Sequence, residues 1–215
     1  MRGDTNQGIY QMTVQTPNWT RTLKLKVYSK GRDKIFIRIL SPAKEAGIGT
    51  LRIGNEMWNY LPRIEKVLKI PPSMMLQAWM GSDFANDDLV KQNSIIQDYT
   101  HKIIGEDIID DQQVDIIELT PKPKAAVIWG KLYMWIRKKD AVPLRQEYYD
   151  ERHRLVKRLT YSDIGPVSDR TIPKTWTMTN LIKEGHSTTI KLLDVVYNQP
   201  VDDNIFTLQN LKKAQ

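Results

Sequence analysis

The stretch RTLKLKVYSKGRDKIFIRIL, Arg21 to Leu40, decides how the chain is read. In its first half Leu23, Leu25 and Val27 alternate with Lys24 and Lys26, the two-residue period of a strand with one face buried and one in water. In its second half, Lys34 to Leu40, both faces are apolar apart from Arg38, so period alone does not say whether Ile37 and Ile39 point inward. The same alternation recurs outward from here. YQMTV sets Tyr10, Met12 and Val14 on one side, and GTLRI and EMWNYL flank Gly54-Asn55, a pair suited to a two-residue primed turn, so they read as a hairpin. Farther on come KVLKI, YTHKII, VDIIEL, AVIWGKLYMWIR, LRQEYY, LVKRLTYS, KTWTMTNL and STTIKLLDVVY, joined mostly by short polar spacers.

About eleven strands with such short loops pair antiparallel, because a parallel crossover needs roughly a dozen connecting residues. A sheet of that size does not stay flat; accumulated twist makes it curl, split or close. The expected fold class is all-β dominated with a few short helices, in one domain over residues 1–215, since no boundary or internal repeat interrupts the pattern. The helix candidates are PAKEAG after Ser41, NDDLVKQ with Asp83 or Asn86 as its cap, and VDDNIFTL near the end. So few helices leave the concave face of a curled sheet largely uncovered. If that face is apolar, it is a cavity.

Composition narrows the chemistry. With no cysteine in 215 residues, disulfides, thiolate metal sites and a cysteine nucleophile are excluded. No run reaches the roughly 18 apolar residues of a membrane helix, and MRGDTNQGIY lacks the apolar region of a secretory signal, so the chain reads either as cytosolic or as an exported protein whose signal has been removed. A net charge of +7 invites nucleic acid or an anionic membrane. The basic residues, however, are spread through RTLKLKVYSKGRDK, WIRKKD and ERHRLVKR, in contexts where a solvated sheet face needs a polar residue, and no nucleic-acid partner is expected. Trp58, Tyr60, Trp129, Tyr133, Trp135 and Trp176 alternate with aliphatic residues or Met, as core or pocket lining does, whereas stacking platforms need aromatics and cations on one exposed face.

Hydrolase, phosphate-loop, dinucleotide and zinc-protease motifs are missing, and His101, His153 and His186 stand apart from any carboxylate that would orient them. DDQQVD from Asp110 lacks the glycine and terminal glutamate of a calcium loop and reads as a hairpin turn; Asp87 and Asp88 suit the first turn of a short helix. The expectation is a protein that is not an enzyme and uses no metal or cofactor.

IPPSMMLQAWMGSDFANDDL, Ile70 to Leu89, is the exception to the strand pattern. Pro71 and Pro72 end the preceding strand, Gly81 permits a sharp bend, and Met74, Met75, Leu76, Trp79 and Met80 form a flexible apolar surface with no Lys or Arg. Unbranched methionine adapts to irregular partners, which suits a movable cover over an apolar trough, and equally suits a loop that plugs a core for good. Burying an acyl chain of some fifteen methylenes contributes on the order of 12 kcal/mol before ordering costs, so a cover over such a trough needs no catalytic group.

The run GNEMWNYLPRIEKVLKIPPSMM…WMGSDFANDDL resembles the LolA/LolB-like outer-membrane lipoprotein-sorting family, in particular the subgroup that accompanies RND-type exporters. The matching pieces are Trp58 to Pro62, Met80-Gly81-Ser82-Asp83-Phe84 with Asp88-Leu89 behind it, LTPKP from Leu119, Tyr148-Tyr149-Asp150, Pro173 with Trp176 and Met178, and the closing IFTLQNL. The resemblance implies an incomplete antiparallel β-barrel of about eleven strands with a helical or loop lid over an apolar cavity. It further implies a periplasmic, non-enzymatic carrier or chaperone for acyl chains of lipoproteins or lipids, with transient membrane contact and an RND-type exporter or outer-membrane acceptor as partner. Better-studied soluble carriers latch their lid with an arginine before a proline in an early strand–loop junction; the comparable place here is Ser41-Pro42, with Arg38 three residues earlier.

The residues expected to line the cavity and lid are Leu23, Leu25, Val27, Ile37, Ile39, Trp58, Tyr60, Met74, Met75, Leu76, Trp79, Met80, Phe84, Leu132, Met134, Trp176 and Met178. Two other readings use the same chain: an exporter-associated module whose groove takes a partner's peptide or helix, and a nucleic-acid binder drawing on its positive charge.

Overall fold

A computed structural model describes residues 3–90, 94–125 and 127–213. Thirteen strands form: β1 (Thr5–Gln15), β2 (Thr20–Lys30), β3 (Lys34–Ser41), β4 (Gly49–Ile53), β5 (Glu56–Leu61), β6 (Lys66–Lys69), β7 (Tyr99–Ile109), β8 (Gln112–Pro121), β9 (Lys131–Arg137), β10 (Pro143–Tyr149), β11 (Leu155–Val167), β12 (Arg170–Asn180) and β13 (Ser187–Tyr197). Each lies on one of the segments quoted above, and the expected total of about eleven was too low by two. Short helices follow the strands: α1 (Asn86–Val90), α2 (Ser94–Gln97) and α3 (Leu208–Lys212).

Hydrogen-bonded neighbours run in the order β6-β5-β4-β3-β2-β1-β13-β12-β11-β10-β9-β8-β7, so the sheet is open, with β6 and β7 as its terminal strands. The order explains itself from loop lengths. Short hairpins carry the chain from β1 out to β6 and from β7 back to β13. The exception is residues 70–98, which connect one terminal strand to the other and contain the Met-rich segment.

Contacts divide the chain into two compact units, Met1–Val14 with Thr20–Lys91 and Ile190–Gln215, and Gln15–Trp19 with Gln92–Thr189. In the first unit the ambiguous strand β3 is buried on both faces. Its register with β2 pairs Leu25 with Ile39 and Val27 with Ile37, and these join Met12, Val14, Leu23, Ile35, Met57 and Ile70 in one core. The opposite face pairs Tyr28 with Phe36, and there Phe36, Leu51 and Tyr60 pack with Phe206 and Leu211 of the C-terminal segment. A strand covered on both sides has no reason to alternate, which is why KIFIRIL reads as continuously apolar.

In the second unit β8 to β12 sort their faces cleanly. One row across four strands, Met134, Gln146, Leu159 and Met178, is matched residue to residue. The other face carries Glu118, Lys131, Tyr133, Glu147, Tyr149 and Arg158. The turn between β7 and β8 is Asp110-Asp111, both left-handed at φ 46° and 60°, as a two-residue primed turn requires. PAKEAG forms one turn, with the Ala46 N–H donating to Pro42 O at 2.9 Å, and goes no further because Gly47 turns left-handed at φ 86°.

Candidate functional site

The Met-rich connection is held together by its own backbone. Pro71 and Pro72 confine it to a short 3₁₀ turn over Pro72–Met74, and a second turn, Trp79–Gly81, is built on consecutive left-handed residues, Met80 at φ 51° and Gly81 at φ 69°. The chain then doubles back. Ala78 bridges Ala85, Trp79 N–H donates to Phe84 O at 2.7 Å, and Ser82 Oγ donates to Trp79 O at 2.7 Å and accepts from Phe84 N–H at 3.2 Å. Asn86 Nδ2 donates to Met74 O at 3.0 Å, and Asp87 N–H to Met75 O at 2.8 Å. The acidic pair opens α1 as expected, Asp88 Oδ2 accepting from Ala85 N–H at 2.7 Å. GSDF thus makes a sharp, self-bonded turn whose purpose is to aim one side chain.

That side chain is Trp79. It is 2% exposed in the core of β1, β2, β3 and β5, with Met75, Met80 and Leu89 packed beside it. Its Nε1–H donates to Thr50 Oγ1 at 3.1 Å, and Thr50 in turn donates to Asn59 Oδ1 at 2.8 Å. Buried indole N–H groups need such a partner. Met74 and Leu76, from the same connection, stay in water, Leu76 at 58% exposure. Phe84 is half-buried.

The structure therefore brings together Leu23, Leu25, Val27, Ile37, Ile39, Met75, Trp79 and Met80. Trp58 and Tyr60 were expected with them and are not there: the two-residue Gly54-Asn55 turn sets Met57 toward Trp79, so Trp58 and Tyr60 face the C-terminal segment. Leu132, Met134, Trp176 and Met178 belong to the second unit. There Leu132 and Met178 are buried, Met134 and Trp176 half-buried, and Gln146 lies between Met134 and Leu159 with its Nε2 unpartnered among the described residues.

Two arginines near the early strands take different parts. Arg38 points away from the Met-rich connection; its guanidinium donates to Gly47 O at 2.6 Å and to Asn210 O and Leu211 O at 3.0 Å, closing the C-terminal end of α3. Burial lowers its pKa from the ordinary arginine range, with Tyr60 acting in the opposite sense. The residue that grips the connection is Arg21, whose Nη2 donates to Met80 O while its Nη1 pairs with Glu45 Oε2 of the β3–β4 loop at 3.3 Å. Its signal in the sequence was faint: a lone Arg at the head of the Lys-alternating strand.

Some aromatics of the second unit do share a face with cations. Arg145 stacks 5.2 Å over Trp135, and Lys131 lies 5.9 Å from Tyr133. Carboxylates neutralise that face. Glu118 accepts from Lys131 and from Tyr133 OH, bonds that hold its pKa below the usual carboxylate range, and Glu147 pairs with Arg158 at 2.9 Å. Burial, then the hydrogen bond to Glu147, pushes the Tyr149 hydroxyl up to about 12. Among the described residues no cluster of His, Asp and Glu could hold a metal ion.

An open antiparallel sheet with a long apolar connection folded onto one face is a LolA-like fold. A LolA superfamily protein from Nitrosomonas europaea superposes with a TM-score of 0.80 at 23% identity, over 98% of this chain and 93% of that one. A domain from Vibrio parahaemolyticus named for outer-membrane lipoprotein sorting gives 0.82 at 24% identity, over 97% and 92%. A DUF1329 family protein from Desulfovibrio piger gives 0.90 at 26% identity, over 97% and 92%. The chain belongs to the family whose model, described as an uncharacterized protein, matches residues 31–213. A search of curated proteins finds no match.

Proposed function

We propose that the protein is a non-enzymatic periplasmic carrier of acyl chains, from lipoproteins or lipids, and that it works as one LolA-like domain over residues 1–215. The observation that supports this most is the seating of Trp79, Met75 and Met80 on the apolar face of β1 to β3 by a connection that leaves Leu76 in water. In this reading the connection occupies the face that a hydrocarbon tail takes when the connection swings away, and Met74 and Leu76 touch the membrane during exchange. Methionine fits the task because it repacks against either partner. The Vibrio parahaemolyticus domain named for lipoprotein sorting supports the class of ligand, and an outer-membrane acceptor or an exporter is the fitting partner.

The complete burial of Trp79 and its bond to Thr50 favour a second reading, a fixed plug that never leaves. Titrating delipidated protein with a fluorescent acyl probe separates the two. The carrier takes up the probe at micromolar concentration or tighter, and Met75→Lys weakens uptake by roughly tenfold or more without changing the circular dichroism. A plugged core takes up no probe at all.

A further inference from the structure

The two terminal strands of the sheet are treated very differently. β6 has four residues with Lys66 and Lys69 at its ends, a short, charged edge of the kind that resists adding another strand. β7 has eleven, and among them Thr100 to Ile104 and Glu106 to Ile108 are exposed, Ile103 to 63% and Ile108 to 67%. It has no proline, and β8 is its one strand partner among the described residues. A long edge with bare isoleucines is a template for pairing.

Its charge pattern says with what. His101 and Lys102 lie in the first half of β7, Glu106 and Asp107 in the second. The register of β7 against β8 shifts at Ile104, which sets Lys102 and Asp107 on the same face. Antiparallel pairing with an identical strand, centred between Ile104 and Gly105, sets Lys102 of each copy opposite Asp107 of the other, with Glu106 next to it; parallel pairing in register sets like charges side by side. Both carboxylates have partners on their own sheet: Glu106 pairs with Lys138, and Asp107 accepts from Trp135 Nε1 at 3.3 Å and from Ile108 N–H at 2.8 Å. We propose that β7 pairs antiparallel with β7 of a second copy, joining two sheets edge to edge in a two-fold symmetric dimer. A single strand pair buries little area, so the dimer is weak, with a Kd on the order of 10 μM.

Sedimentation of the full chain over roughly 1–300 μM tests this. Wild type shows a concentration-dependent monomer–dimer equilibrium. Lys102→Asp alone, and Glu106→Lys with Asp107→Lys alone, each raise Kd on the order of tenfold, because symmetry counts every altered pair twice. Mixing the two variants restores association as a heterodimer, while circular dichroism of each alone stays that of wild type. A wild type that is monomeric throughout overturns the proposal, and so does a dimer that ignores both reversals or a mixture that fails to associate.

Discussion

Met80 is held in a left-handed conformation, φ 51°, that costs a residue with a Cβ about 1 kcal/mol or more, and the guanidinium of Arg21 sits on its carbonyl. Arg21→Met removes that hold and leaves the β2 backbone intact. The amides of Trp79 and Ser82, which close the turn, should then exchange about 10- to 100-fold faster in hydrogen-exchange measurements, with a smaller effect on global stability. Trp79→Ala opens a cavity in the first unit's core and should cost about 3–5 kcal/mol in denaturant unfolding. Leu76→Ala, in water, should stay within about 0.5 kcal/mol and yet slow transfer of an acyl probe from vesicles. In the second unit, Gln146 is 2% exposed; its Oε1 is 3.5 Å from Tyr161 OH, and its Nε2 lacks a partner among the described residues. An unmet buried donor costs about 1–3 kcal/mol, so Gln146→Leu should raise the unfolding free energy by roughly 1 kcal/mol or more.

At the scale of elements, the C-terminal segment closes the first unit on the face opposite Trp79. Thr207 Oγ1 accepts from Asn210 N–H at 3.1 Å to cap α3, Arg38 ties down its last carbonyls, and Asp203 accepts from Lys30 Nζ at 2.8 Å and Lys34 Nζ at 2.9 Å. Those two bonds lower the Asp203 pKa from 3.8 to about 2. A depressed carboxylate stabilises the fold fully above its ordinary value and loses that contribution as pH falls through the folded one. The stability gap between wild type and Asp203→Asn should therefore be constant near neutrality and close between pH 3.8 and about 2, and salt should narrow it at every pH because the group is exposed. These elements were unequally legible in the sequence. Strands with one wet face, such as β2, declared their period, and Gly54-Asn55 declared its hairpin. β3 hid its two-sided burial behind continuous apolarity, and without knowing that Phe206 and Leu211 cover its far side nothing turned Trp58 and Tyr60 toward them.

For the whole molecule, topology was more readable than the site. Thirteen short-looped strands admit little besides an antiparallel meander, and an apolar, Pro-bounded connection between them had to pack on a sheet face. Which arginine held that connection was decided by a long-range approach, Arg21 to Met80, that no local period encodes. The net charge of +7 is likewise a poor guide to partners, since Lys131 and Arg158 are matched by acids on their own face. Acyl-probe affinity should change by less than about threefold between low and moderate salt, where phosphate-backbone binding would fall by orders of magnitude.

In the proposed carrier a hydrocarbon guest displaces the Met-rich connection from the face it covers. Hydrogen exchange read at Trp79, Ser82, Asn86 and Asp87, with and without saturating acyl ligand, measures this directly. These amides are expected to lose protection on uptake while those of β2 and β3 keep theirs. Uptake that leaves all four as protected as before would contradict it.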